Sequence, residues 1–130
     1  MMLRKNPPAE DAAIHTLVVD AGVELPEEYL AFLRDSNGGE LDVEAGRFDL
    51  WPAEEIVQAN RDLRVEEFLP GFIVFGGDGA NELLMFDARG PKPWAVFMVP
   101  MIVMSEEDAV AIADDFSSLI GVRGHAQTDA

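Results

Sequence analysis

No apolar run in this chain is long, and that limits the size of every element it can build. The longest, from Trp94 past Pro100 to Met104, is broken by that proline and falls far short of the ~20 residues a membrane-spanning helix needs. Glycine and proline recur between the other runs, at Gly22, Leu25-Pro26, Asn37-Gly38-Gly39, Trp51-Pro52, Gly76-Gly77-Asp78-Gly79 and Gly90-Pro91-Lys92-Pro93. A chain of 130 residues punctuated in this way predicts one domain of short helices and strands, without internal repeats.

Between the breaks, the spacing of apolar residues separates helix from strand. Ile14, Leu17, Val18 and Ala21 form one stripe, so a first helix is predicted from Pro7 or Pro8 to Ala21, with Asn6 as its cap and Gly22 as its stop. A second helix starts at Leu25-Pro26 with Glu27 and Glu28 in its first turn, where the helix dipole favours anions. It carries Tyr29, Phe32 and Leu33 at helical spacing and ends at Asn37-Gly38-Gly39. A short strand, Arg47 to Leu50, follows Gly46, and a third helix leads from Trp51-Pro52 through Ile56 and Ala59 to Leu63. Phe72 to Phe75 and Glu82 to Asp87 predict a strand pair whose connection, residues 76–81, has glycines to supply positive φ. Trp94 to Val99 predicts another strand, closed at both ends by proline.

Ser105-Glu106-Glu107-Asp108 has the pattern of a capping box, and Ala109, Ile112, Ala113, Phe116, Leu119 and Ile120 then predict a closing helix stopped by Gly121. Residues 1–8 are expected as a flexible N-terminus, 9–121 as the domain and 122–130 as a disordered tail. Helices at the ends with strands clustered between them give the class α+β, a single antiparallel sheet flanked by N- and C-terminal helices.

Charge narrows the partners. Asp and Glu number 25 against 9 Lys and Arg, a net charge of −16. Nucleic acids and anionic membranes are both gripped through cations, so neither is an expected partner. The basic N-terminus has no apolar stretch behind it and does not read as a signal peptide, which predicts a soluble, cytoplasmic protein. Such a charge steers a basic partner towards the chain, or simply keeps the chain in solution.

The inventory for catalysis is thin. With no cysteine there are neither disulfides nor thiolate metal sites. His15 borders the first helical stripe and His125 lies in the tail, so neither is spaced as a ligand, and nucleophilic triads and zinc hydrolysis lack their parts. Neighbouring acids such as Glu54-Glu55 and Glu106-Glu107 point in different directions on a helix and read as solvated faces. Asp78-Gly79-Ala80-Asn81-Glu82 sets oxygens around a glycine turn but lacks the spaced acids and distal Glu of an EF-hand. Gly76-Gly77-Asp78-Gly79 has no following helix or Lys to cradle phosphate, so the segment reads as a hairpin connection.

The expectation is therefore a protein that binds and does not catalyse, without cofactor or metal. A hydrolase acting through carboxylates would have to use Asp78, Glu82 or Asp87. Trp51 and Trp94 read as core or strand-end anchors, and Met85, Met98, Met101 and Met104 as core gap-fillers. The candidate protein-binding residues are Trp51 and, around the hairpin, Asp78, Asn81, Glu82 and Asp87, because loops on a rigid scaffold commonly carry function.

Leu25-Pro26-Glu27-Glu28-Tyr29-Leu30-Ala31-Phe32-Leu33, ending at Asn37-Gly38-Gly39, resembles the opening signature of the SUKH superfamily of Smi/Knr-like domains. Phe75-Gly76-Gly77-Asp78-Gly79 through Glu82-Leu83 to Phe86-Asp87 is similar to the family's central hairpin, and Ile112-Ala113, Phe116 and Leu119-Ile120 to its closing helix. Asn81 stands where the family usually has Gly, a departure that Asn tolerates. The resemblance covers about residues 9–121. It implies an α+β fold without known catalysis and, for bacterial members, an immunity protein that neutralises a cognate toxin, often a nuclease, by direct binding. A basic toxin domain would then be the partner. The other reading it leaves open is a general intracellular regulatory interaction module with no toxin.

Overall fold

In the computed structural model, which describes residues 2–121, seven strands follow one another across a single antiparallel sheet. They are β1 (Met2–Lys5), β2 (Gly39–Val43), β3 (Gly46–Leu50), β4 (Phe72–Gly77), β5 (Glu82–Asp87), β6 (Val96–Pro100) and β7 (Val110–Ala113). Each strand pairs with its neighbours in sequence, so the sheet is a meander. Helices α1 (Asp11–Ala21) and α2 (Glu27–Asp35) are inserted between β1 and β2, α3 (Ala53–Asp62) and the single turn α4 (Val65–Phe68) between β3 and β4, and α5 (Phe116–Ile120) follows β7. The class is α+β.

Both faces of the central strands are covered, which is why β5 reads as an unbroken apolar run. Leu84 and Phe86 join Phe75, Val96 and residues of α1, α2 and α5 in the larger core. Leu83 and Met85 point the other way, to Phe72, Val74 and Val99 under Val65 and Leu69. A bulge sorts β4 between the two. Val74 pairs with Met85 but Gly76 with Leu84, so Phe75 is an extra residue and joins Phe86 in the larger core. There the Phe75 and Phe86 rings stack at 4.2 Å, and Tyr29 meets both edge-on, at 5.6 and 5.2 Å.

The segment after α2 ties three elements together. Ser36 is fully buried; its hydroxyl donates to the Gly38 carbonyl at 2.6 Å and accepts the Asn6 amide at 3.0 Å. Asn37 accepts the Ala53 amide through Oδ1 at 2.7 Å and donates to Glu54 Oε1 at 2.8 Å, thereby capping α3 from a distance. Gly38 has φ +84°, and a Cβ there would stand 2.3 Å from the Leu50 carbonyl oxygen. Asn60 joins α3 to β4, donating to the Val74 carbonyl at 2.8 Å and accepting its amide at 2.9 Å.

Four expectations are corrected. Residues 2–5, expected to be flexible, form an edge strand whose partners are residues 39–42. Asn6 does not cap α1, which begins after Glu10; its side chain donates to the Asn37 carbonyl instead. β2, not foreseen, makes a hairpin with β3 across Glu44 and Ala45. The single closing helix is a one-turn 3-10 segment (Glu106–Asp108), then β7, then the short α5. Ser105 Oγ donates to Asp108 Oδ2 at 2.8 Å rather than accepting a backbone amide, and it is Asp115 that caps α5, accepting the Ser118 amide at 2.8 Å. The tail, residues 122–130 with His125, lies outside the described residues.

Candidate protein interface

The turn between β4 and β5 is built by one carboxylate. Asp78 Oδ1 accepts the amides of Ala80, Asn81 and Glu82 at 2.8 to 2.9 Å, while the Asp78 amide donates back to the Glu82 carbonyl at 2.9 Å. These amides, Glu82's foremost, hold the Asp78 carboxyl below the ordinary Asp range. The turn is therefore rigid and carries a committed negative charge. Asp49 lies beside it, since β3 pairs Asp49 with Gly77 and a Cβ on Gly79 would be 3.7 Å from Asp49 Oδ2. Among the described residues, Asp49, Asp78 and Glu82 form no ion pair, whereas Asp87, Glu106 and Glu67 are matched by arginines.

Next to these acids the chain exposes apolar side chains. β6 runs antiparallel to β5 with Pro100 opposite Glu82, and the Met101 amide donates to the Asn81 carbonyl at 2.7 Å. The chain then leaves the sheet at Met101-Ile102-Val103. Ile102 is 89% exposed, the highest exposure recorded for a large hydrophobic residue of the described chain, and Val103 is 54% exposed. An exposed apolar side chain thus follows directly on the turn that carries the unpaired Asp78 and Glu82, a pairing of apolar and polar surface of the kind protein interfaces use.

Asp78, Asn81 and Glu82 are thus brought together as the sequence suggests, but Trp51 and Asp87 lie elsewhere. Trp51 sits half-buried between the two cores, its amide donating to the Phe75 carbonyl at 3.0 Å. Asp87 closes the far end of β5, roughly 17 Å along the strand from Glu82 at ~3.4 Å per residue, and on the opposite face. There it pairs with Arg89, which holds its carboxyl below the ordinary range. Arg89 also reaches Glu106 at 2.8 Å and covers the Phe72 ring at 4.6 Å, pinning the 3-10 segment against the smaller core. His15 is exposed on α1.

Ile102 and its neighbours are the residues the sequence conceals. Met101 is exposed, whereas Met85 is buried and Met98 and Met104 are partly so. The available signal is Pro100: apolar residues that continue past a strand-ending proline have left the ladder that would bury them. Trp94, by contrast, is the expected anchor, buried with its indole donating to the Gly90 carbonyl at 2.9 Å.

Away from this surface, a groove of about 740 Å³ runs between the end of α1, α3, α4 and β4, lined by Val23, Asn60, Arg61, Arg64 and Phe72 among others. No three His, Cys, Asp or Glu side chains converge to hold a metal among the described residues, and no described helix is long and apolar enough to cross a membrane. The family model of the SMI1 / KNR4 family (SUKH-1) matches residues 8–121. No curated protein matches the chain.

Proposed function

This chain belongs to the SMI1 / KNR4 family (SUKH-1), and from that premise we propose that it is a non-catalytic cytoplasmic immunity protein that neutralises a cognate bacterial toxin by direct binding. The observation that carries the reading is the exposed Ile102, which follows the hydrogen bond between Met101 and Asn81 and so adjoins the turn that bears the unpaired carboxylates of Asp78 and Glu82. A toxin that cuts nucleic acid grips phosphate with cations, and a rigid acidic surface competes for those cations while the apolar anchor supplies contact that does not depend on salt. The net charge of −16 adds long-range attraction for such a partner.

The test is co-expression with the toxin domain encoded beside the gene. Growth rescue and a stable complex are expected, and both should weaken when Ile102 or Asp78 is replaced. Neither rescue nor complex with any neighbouring toxin would remove the immunity reading and leave a general regulatory binding module, for which a housekeeping locus would be the expected gene context.

A further inference from the structure

The meander leaves two edges, and they differ in chemistry. β1 carries Arg4 and Lys5, engaged by Glu40 and Asp35, and charged side chains of this kind blunt an edge against further pairing. β7 reads Val-Ala-Ile-Ala, with no charge and no proline inside it. Its one ladder is to β6, and no other backbone hydrogen bond reaches Val110 to Ala113 among the described residues. Val110 is 55% exposed and Ala111 is exposed, while Ile112 and Ala113 turn back towards the larger core. A bulge leaves Ile112 as an extra residue, since Val96 pairs with Ala113 and Phe97 with Ala111, and the stretch before it, Val110-Ala111, presents its outer amide and carbonyl groups with apolar side chains beside them.

The flanks select what can add to it. Before the strand stand Glu107 and Asp108, and after it Asp114, all exposed, whereas Glu106 is already paired with Arg89. A second copy of the chain pairing antiparallel through β7 would set Glu107 and Asp108 against Asp114 of its mate, and like charges opposed across strands are destabilising. An extended segment with Lys or Arg at both ends meets attraction at both. From this geometry we infer that β7 is a strand-addition site that takes an extended, basic-flanked segment of a partner protein into the sheet as an eighth strand. Backbone hydrogen bonds supply the contact and the flanking acids fix its position. The inference deepens the reading of a basic protein partner and rests on it.

The probe is a fluorescein-labelled peptide, Lys-Arg-Thr-Val-Thr-Val-Thr-Arg-Lys, compared with one of equal charge whose centre is Gly and Ser. Anisotropy measures affinity at low salt, and amide hydrogen exchange locates the contact. We expect the first peptide to bind at least roughly tenfold more tightly than the second, as strand addition needs a β-forming centre, and to slow exchange within Val110–Ala113. The double substitution Val110→Lys with Ala111→Lys should abolish that preference at unchanged Tm. Thr16→Lys with Val19→Lys, an equal change of charge on exposed α1 positions, should retain it. Equal binding of both peptides without protection at β7, or equal loss in both double variants, would overturn the strand-addition site while leaving an acidic surface that binds basic protein. Binding of neither peptide would overturn the site and count against the basic-partner reading as well.

Discussion

The side-chain carbonyl of Asn37 accepts the backbone amide of Ala53 at 2.7 Å, so the residue that ends one helix region also starts another. The same side chain donates to Glu54, and that hydrogen bond is the main reason the Glu54 carboxyl titrates below its ordinary range. Asn37→Ala removes both bonds and leaves the first turn of α3 with an unanswered amide. A loss of about 1–2 kcal/mol is expected, typical of a missing helix cap, and urea unfolding would measure it. A loss near zero would mean water replaces the side chain at that amide.

Tyr29 is 2% exposed, ringed by Phe75, Phe86 and Phe116, and its hydroxyl has no hydrogen-bond partner among the described residues. Burial pushes the phenol well above its ordinary range, so it stays protonated. Tyr29→Phe keeps the edge-to-face contacts and removes the stranded polar atom. The variant should be as stable as the parent or more so, by up to about 1 kcal/mol; a drop in Tm would show that the hydroxyl is satisfied.

Asp78 gives a pH signature. Its folded carboxyl titrates below the unfolded value of about 3.9, so its contribution is complete above that pH and is lost as pH falls through the still lower folded value. Asp78→Ala should cost about 1 kcal/mol at neutral pH, a modest figure because the turn is only partly shielded from solvent. The Tm gap between parent and variant should hold down to about pH 5 and narrow below about pH 4. A gap unchanged at pH 3 would mean that the charge on Asp78 plays no part in ordering the turn.

Ile102 separates folding from binding. Because its side chain is 89% exposed, Ile102→Asp should change stability by no more than about 0.5 kcal/mol. Loss of an anchor of this kind should weaken partner binding by about 2 kcal/mol or more. Calorimetry on the complex reads the second effect and thermal unfolding of the free protein the first. Full affinity in the variant would place the interface elsewhere.

The excess of carboxylate predicts opposite salt effects on fold and function. Raising NaCl from 50 to 200 mM, roughly halving the Debye length from about 14 to 7 Å, should raise Tm by relieving self-repulsion and should slow association with a basic partner. Stopped-flow mixing checks the rate. An association rate that ignores salt would assign the charge to solubility alone.

How far the sequence reveals all this depends on whether local pattern and tertiary pairing agree. α2 is legible because Tyr29, Phe32 and Leu33 recur at helical spacing and all three are buried. The hairpin acids are legible because turn chemistry is local, and Asp78 performs it within five residues. β7 is not, since Ala109, Ile112, Ala113 and Phe116 also fit a helical stripe; pairing of residues 110–113 with β6 overrides it. β1 is hidden for a different reason: Met-Leu-Arg-Lys carries no alternation, and its partner strand lies far along the chain. Within the proposed interface the same split recurs, as Ile102 belongs to an apolar run that resembles core until Pro100 is understood to end the strand.

The order of strands in the meander also bears on how the chain assembles. Two pairings span inserted helices: β4 must find β3 across α3 and α4, residues 51–71, and β1 must find β2 across the longer stretch of α1 and α2, residues 6–38. Bringing distant ends together carries the larger loop-closure entropy. β1 is therefore the strand whose zipping waits on helices already docked, and the first to peel away when the fold begins to open.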